Sequence, residues 1–283
     1  MCKYKKFLIA TDGSESSAHA VEEALKFAKK TQAEVSVISV IPPVKGLSSS
    51  LSIFGHITEL ARKPYVKALE VAKDMAEDED LSIKTVLEEG EPYEKIIETA
   101  KKEGCDVIIL GRRGITAFEK ILIGSTAVRL INESPIDLLL VPRNSQISFK
   151  KILAATDLSE HGNRAVEKAG KLAKAYNGDL AIISVIHLPP ELIVGAEEIM
   201  NMLTEEIAKE ITPIKEKIQK LGLEPRIFIE KGEPHIIITN KLKDIEATIL
   251  TIGANQETGK KFTGSVAQKI IANSNVPILV VKK

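Results

Sequence analysis

Gly111, Gly114, Gly124, Ser125 and Thr126 stand in the pattern G-x-x-G-x9-G-S-T. This string suits an anion. Glycine has no Cβ, so a bound group can approach its backbone closely. Gly124-Ser125-Thr126 opens a stretch of helical periodicity, and a helix N-terminus offers unpaired N–H groups and a partial positive charge that favour phosphate. Ser125 and Thr126 add hydroxyl donors, and Arg112 or Arg113 adds charge. Taken alone, the same residues also suit two turns and a serine-capped helix. Asp12 is the second candidate, in Thr11-Asp12-Gly13-Ser14-Glu15 after the first apolar run. A carboxylate there serves a ligand, the N-terminus of the next helix, or both.

Other chemistries find little support. Gly259-Lys260 is followed by Lys261 rather than Ser or Thr, and no glycine stands five positions earlier, so there is no Walker A loop. No nucleophile–base–acid set is placed by any motif, although slow ATP hydrolysis through metal and positioning stays compatible with the pattern. A phosphoacceptor domain would need a second aspartate where Leu87-Glu88-Glu89-Gly90 stands. Cys2 and Cys105 form no C-x-x-C, and the five histidines show no metal-ligand spacing, so neither a disulfide framework nor a metal site is expected. Lys+Arg and Asp+Glu both number 39, which argues against general affinity for nucleic acid. No apolar run approaches the ~20 residues of a membrane span. The apolar stretch near the start, Phe7–Ala10, is too short for a signal-peptide core. A cytoplasmic protein without membrane partners is the expectation.

The elements that would position these residues occur twice. Ala10-Thr11-Asp12 returns as Ala155-Thr156-Asp157, Ile38-Ser39-Val40-Ile41 as Ile183-Ser184-Val185-Ile186, and Gly90-Glu91-Pro92 as Gly232-Glu233-Pro234. Gly111 pairs with Gly253 and Gly124-Ser125 with Gly264-Ser265, in unbroken order. An internal repeat of this length means two copies of one domain. Short runs that are apolar at consecutive positions, 7–10, 35–41, 83–87, 107–110 and 136–141, read as strands buried on both faces. Amphipathic stretches separate them: one carrying Val21, Ala24, Leu25 and Ala28, then others near 59–79, 92–103 and 125–133. Strand alternating with helix predicts an α/β fold, a parallel sheet with helices on both faces. The second half repeats the plan, with strands near 152–155, 180–186, 226–229, 248–252 and 277–281. Residues 142–149 read as a short polar link between domains at 1–143 and 149–283, and 42–58 as a surface loop or a flap beside a ligand. Asp137, inside the last strand of the first half, has no explanation at this level.

With these residues in view, the sequence resembles the universal stress protein family over nearly its whole length, twice. The G-x-x-G-x9-G-[ST] string resembles that of the family's nucleotide-binding branch, and Thr11–Glu15 and Gly90-Glu91-Pro92 fit as well. The resemblance implies two Rossmann-like, doubly wound five-stranded sheets in order 3-2-1-4-5. It implies an adenine-nucleotide-binding regulatory or stress-response protein more than an enzyme, with ATP or AMP bound and Mg held, if at all, through the phosphates. A slow ATP-hydrolysing or adenylate-processing enzyme, or a scaffold with a vestigial nucleotide, is the alternative. The implied contacts are Ala10, Thr11, Asp12, Val40, Gly111, Arg113, Gly114, Gly124, Ser125, Thr126 and Ala127, with adenine near Val40, ribose near Asp12 and Gly111, and phosphates on Gly114 and Gly124–Thr126.

The second half departs from the string. Gln256 stands where the second glycine belongs, and the loop from Gly253 to Gly264 is two residues shorter. Asp157, Val185, Gly253, Gly264 and Ser265 remain as a second-site candidate with degenerate loop geometry. Leu138–Val141 and Ile278–Val281 would lie at sheet edges, flat and free of charge, and such edges invite pairing. Single-domain members of the family pair through that strand. An intramolecular pseudo-dimer through the two fifth strands is therefore expected, with a homodimer as further association.

Overall fold

In the computed structural model, residues 3–43, 54–112, 114, 123–188, 196–254 and 266–282 are described, with side chains for all of them except 54–57 and 196. The chain divides into two compact units, Tyr4–Ser145 and a second from Gln146 onward.

The first unit runs β1 (Lys6–Ala10), α1 (Glu15–Thr31), β2 (Glu34–Ile41), α2 (Phe54–Asp78), β3 (Ile83–Glu89), α3 (Pro92–Glu103), β4 (Val107–Gly111), α4 (Ser125–Glu133) and β5 (Asp137–Val141). All strand pairs are parallel, and the order across the sheet is β3-β2-β1-β4-β5. The consecutive apolar positions have their cause here. Phe7, Leu8, Ile9, Ile108 and Ile109 are wholly buried because helices cover both faces. Each contributes roughly 1.5–3 kcal/mol by leaving water. Phe7 also stacks on Phe27 of α1 with ring centroids 5.7 Å apart. Helix ends follow local chemistry: the Ser14 side chain accepts from Ser17 N at the start of α1, and Gly104, at φ 67°, closes α3 in the left-handed conformation.

α2 begins at Phe54, about a turn earlier than the expected 59. Gly55 and His56 are weak helix formers and hide that first turn in the sequence. The expected 42–58 loop is shortened accordingly. Pro42 and Pro43 are exposed, and the rest of it, 44–53, lies outside the described residues.

Asp137 has a structural explanation. It is buried, and the equally buried Tyr4 hydroxyl donates to its Oδ2 at 2.8 Å. A hydrogen bond to a charged group is worth about 1.5–3 kcal/mol, which offsets part of the cost of placing a carboxylate inside a strand. Cys105 is buried, and burial raises its thiol pKa to about 11, so it is a packing residue rather than a reactive thiolate at neutral pH.

The second unit repeats the plan: β6 (Lys151–Ala155), α5 (Glu160–Tyr176), β7 (Asp179–Ile186), α6 (Ala196–Gln219), β8 (Arg226–Lys231), α7 (Pro234–Asp244), β9 (Ile249–Gly253), α8 (Val266–Asn273) and β10 (Ile278–Val281). Its strands are also all parallel, in order β8-β7-β6-β9-β10. Residues 142–149, the expected short polar link, make contacts of their own, with Ser145, Ile147 and Phe149 buried. Arg143 pairs with Glu15 and His19 Nε2 donates to Ser145 O at 2.8 Å, tying the chain that leaves β5 to α1. Phe149 is buried and stacks on Tyr176, with centroids 5.0 Å apart. Among the described residues no helix is long and apolar enough to cross a membrane, and no three His, Cys, Asp or Glu side chains are grouped to hold a metal ion.

Candidate functional site

β1 and β4 are neighbours, yet the chain leaves β1 toward β2 and leaves β4 toward β5. Connections that part in this way open a crevice at the carboxyl ends of the two strands. A cleft of about 300 Å³ lies there. Ala10, Thr11 and Asp12 enter it from the end of β1, Val40 from β2, and Gly111 and Gly114 from the end of β4. Gly124, Ser125, Thr126 and Ala127 enter from the start of α4. Ten residues named from the sequence thus meet in one cleft. Arg113 lies outside the described residues.

Local chemistry positions each of them. Thr11 prolongs β1 by donating its N–H to Ile38 O, and its Oγ1 lies 3.1 Å from Ser17 Oγ. Asp12 Oδ1 accepts from Ser14 N at 3.1 Å. Asp12 is not the helix cap that the sequence allowed. Ser14 caps α1, and Asp12 instead braces the turn ahead of it. Its other oxygen faces the loop after β4, where a Cβ built on Gly114 would lie 2.5 Å from Asp12 Oδ2. Gly111 is constrained differently: its Cβ would lie 2.7 Å from the backbone oxygen of Ser16. Helix packing by itself demands that glycine.

The start of α4 supplies the donors. Gly124 is its N-cap and has no side chain to accept from the first turn, and that turn carries no acid. Gly124 N itself donates to Arg112 O at 2.9 Å. α1 and α5 differ, because Ser14 and Ser159 side chains cap them. The leading N–H groups of α4 therefore keep their capacity for a group in the cleft.

Several cleft residues escaped the sequence reading. Tyr65 comes from α2, and burial together with the charge of Asp12 holds its phenol pKa above the ordinary value. Pro92, Tyr93 and Ile96 come from α3, and Arg129 from α4. The Arg129 guanidinium lies over the Tyr93 ring, 4.7 Å from its centroid, and the Tyr93 hydroxyl donates to Glu94 Oε1 at 2.7 Å. Two signals were available: Arg129 follows Ser125 by four positions, one helical turn, and Tyr93 directly follows the repeated Gly-Glu-Pro.

In the second unit Asp157 Oδ1 accepts from Ser159 N at 3.1 Å and from Ser159 Oγ at 2.5 Å, so it braces a turn as Asp12 does. Val185 lies in β7 and Gly253 ends β9. A Cβ on Gly253 would run into the backbone carbonyl of His161, the counterpart of Ser16. Retention of Gly253 is thus explained by packing. Gly264, Ser265, Gln256, Gly259, Lys260 and Lys261 lie outside the described residues.

A family model described as "Universal stress protein family" matches residues 3–142 and again 148–282. The chain belongs to the universal stress protein family. A universal stress protein of Methanocaldococcus jannaschii is 39% identical over 142 residues, half of this chain and 83% of that protein. Another, from Bacillus subtilis, is 32% identical over 146 residues, 49% of this chain and 99% of that protein. The crystal structure of a universal stress protein from Archaeoglobus fulgidus superposes with a TM-score of 0.72 at 26% identity, covering 98% of both chains. The two single-length relatives match half of the chain, and the third matches it whole. This is the pattern of two universal stress protein domains in tandem.

Proposed function

We propose that the first universal stress protein domain, residues 1–143, binds one adenine nucleotide, ATP or AMP, as a regulatory ligand in a stress response. The observation that carries this reading is the convergence of separate segments on one cleft beside the uncapped start of α4. Its volume, about 300 Å³, is at the small end of ligand clefts and suits a nucleotide whose phosphates reach out of the mouth. Ile38, Val40, Pro92 and Ile96 form an apolar wall for the base. Asp12 would accept from ribose hydroxyls near Gly111. Gly114, Gly124 and the N–H groups of Ser125, Thr126 and Ala127 would hold the phosphates, with Arg113 adding charge. Any Mg would bind through those phosphates. The role proposed for the nucleotide is binding, not turnover.

The second domain, 149–283, carries Gln256 and the shorter loop, and the nucleotide is assigned to the first domain. Native mass spectrometry of freshly purified protein is expected to find one adenine nucleotide per chain. Gly124→Val should remove it and Gly264→Val should leave it. Equal loss in both variants, or no nucleotide bound even after incubation with millimolar ATP and AMP, would refute the assignment.

We also infer that the two domains form a pseudo-dimer through β5 and β10 within a cytoplasmic protein, and that chains associate further into a homodimer. β5 and β10 each stand last in the strand order of their own unit, and Leu138–Val141 and Ile278–Val281 are apolar without a charge. Unprotected strands of that kind aggregate. Small-angle scattering should give the profile of a compact particle, and a profile of two independently moving domains would sink the idea.

A further inference from the structure

We propose that Arg129, held on the face of Tyr93, reads the phosphate chain and makes the cleft select nucleotides over nucleosides. The inference rests on the nucleotide reading and adds a residue to it. Three observations support it.

First, position. Arg129 lines the cleft, and it stands four residues beyond Ser125 on α4, on the helix face above the uncapped first turn. Second, orientation. The guanidinium lies 4.7 Å from the centroid of the Tyr93 ring, and Tyr93 is itself a cleft residue whose hydroxyl is tied to Glu94. A ring under a guanidinium holds the planar fork in place while leaving its N–H edge free to meet an anion, which a carboxylate partner would occupy. The guanidinium also hydrogen-bonds the Tyr93 side chain, and no ion pair joins it to a carboxylate among the described residues. Third, electrostatic placement. Cations are favoured near a helix C-terminus, where they offset the macrodipole. Arg129 is the middle residue of the nine-residue α4, not in its last turn, and the first turn holds no acid. A cation one turn beyond a helix start that has neither a side-chain cap nor an acid, at the wall of the same cleft, suits a polyanion.

The repeat sharpens the argument. Lys269 stands five residues after Gly264 as Arg129 does after Gly124, and His235 follows Pro234 as Tyr93 follows Pro92. Lysine lacks the planar face that stacks on a ring and the fork that grips phosphate at two points. The phosphate reader is thus confined to the first domain.

The test is calorimetric titration of the full chain with ATP, AMP and adenosine, alongside thermal unfolding. The unmodified protein should prefer ATP to adenosine. Arg129→Ala should weaken ATP by about tenfold, the ordinary worth of one charge-assisted contact, and leave adenosine within about twofold. Arg129→Lys should recover part of the ATP affinity, and Tyr93→Leu should lose about threefold through a less fixed guanidinium. Unfolding temperatures should not move, since Arg129 is exposed. If Arg129→Ala binds ATP as the unmodified protein does, or loses adenosine as strongly as ATP, Arg129 is not a phosphate reader although the nucleotide site stands. If the unmodified protein binds none of the three ligands, the nucleotide reading itself fails and takes this inference with it.

Discussion

Gly114→Val is expected to abolish nucleotide binding while the domain stays folded. A Cβ at this position would lie 2.5 Å from Asp12 Oδ2, well inside contact distance, so the carboxylate must swing away. That carboxylate also receives Ser14 N, so the turn that presents Asp12 to the cleft loses its brace. Valine then adds two methyl groups at a wall of the cleft. The cost to folding is small, because the atom displaced is the end of a side chain and Gly114 has no left-handed φ to lose. Calorimetry with ATP should show at least a hundredfold loss, ~2.7 kcal/mol or more, with unfolding shifted by no more than a few degrees. A double-mutant cycle identifies the cause. In an Asp12→Ala background, Gly114→Ala should cost almost nothing further if the glycine exists to make room for that carboxylate. Additive losses would mean that Gly114 meets the ligand directly instead.

The fold was legible because its strands are buried on both faces. Phe7–Ala10 and Val107–Leu110 read as unbroken apolar runs, and α3 and α4 matched their expected spans to the residue. What stayed hidden depends on partners distant in sequence. Asp137 makes sense only when Tyr4, 133 residues away, closes over it. Tyr65, Tyr93 and Arg129 belong to the cleft because α2, α3 and α4 converge there, and one helix's periodicity cannot show what its neighbour presents. The start of α2 was missed because local propensity is weak at Gly55 and His56. Gly111 lines the cleft as its pattern suggests, and its packing against Ser16 is a second demand that the pattern does not show. The sequence shows that a side chain is absent, and only packing shows what occupies the space.

Gly111→Val, by contrast, is expected to damage the fold itself. Its Cβ would lie 2.7 Å from the Ser16 backbone oxygen and 2.8 Å from the Ser16 carbonyl carbon, in the first turn of α1. Backbone cannot swing aside as the end of an aspartate can. α1 packs across β4 with Ala20, Val21 and Ala24 buried beneath it, so lifting its first turn opens the core. Overpacking of this kind costs about 1–3 kcal/mol, and more where a whole helix must shift, so ~3 kcal/mol is expected here. Two domains in one chain do not unfold in a single two-state step, so the measurement must resolve them. Hydrogen exchange read by mass spectrometry does so. Gly111→Val should lose protection across β1 and β4 while β6 and β9 keep theirs. Gly253→Val, meeting His161 in the same way, should reverse the pattern. Nucleotide binding in the first domain should then survive Gly253→Val and fail in Gly111→Val as a consequence of lost packing. A Gly111→Val protein with full protection of β4 and no bound nucleotide would overturn this account, and would return Gly111 to direct contact with the ligand.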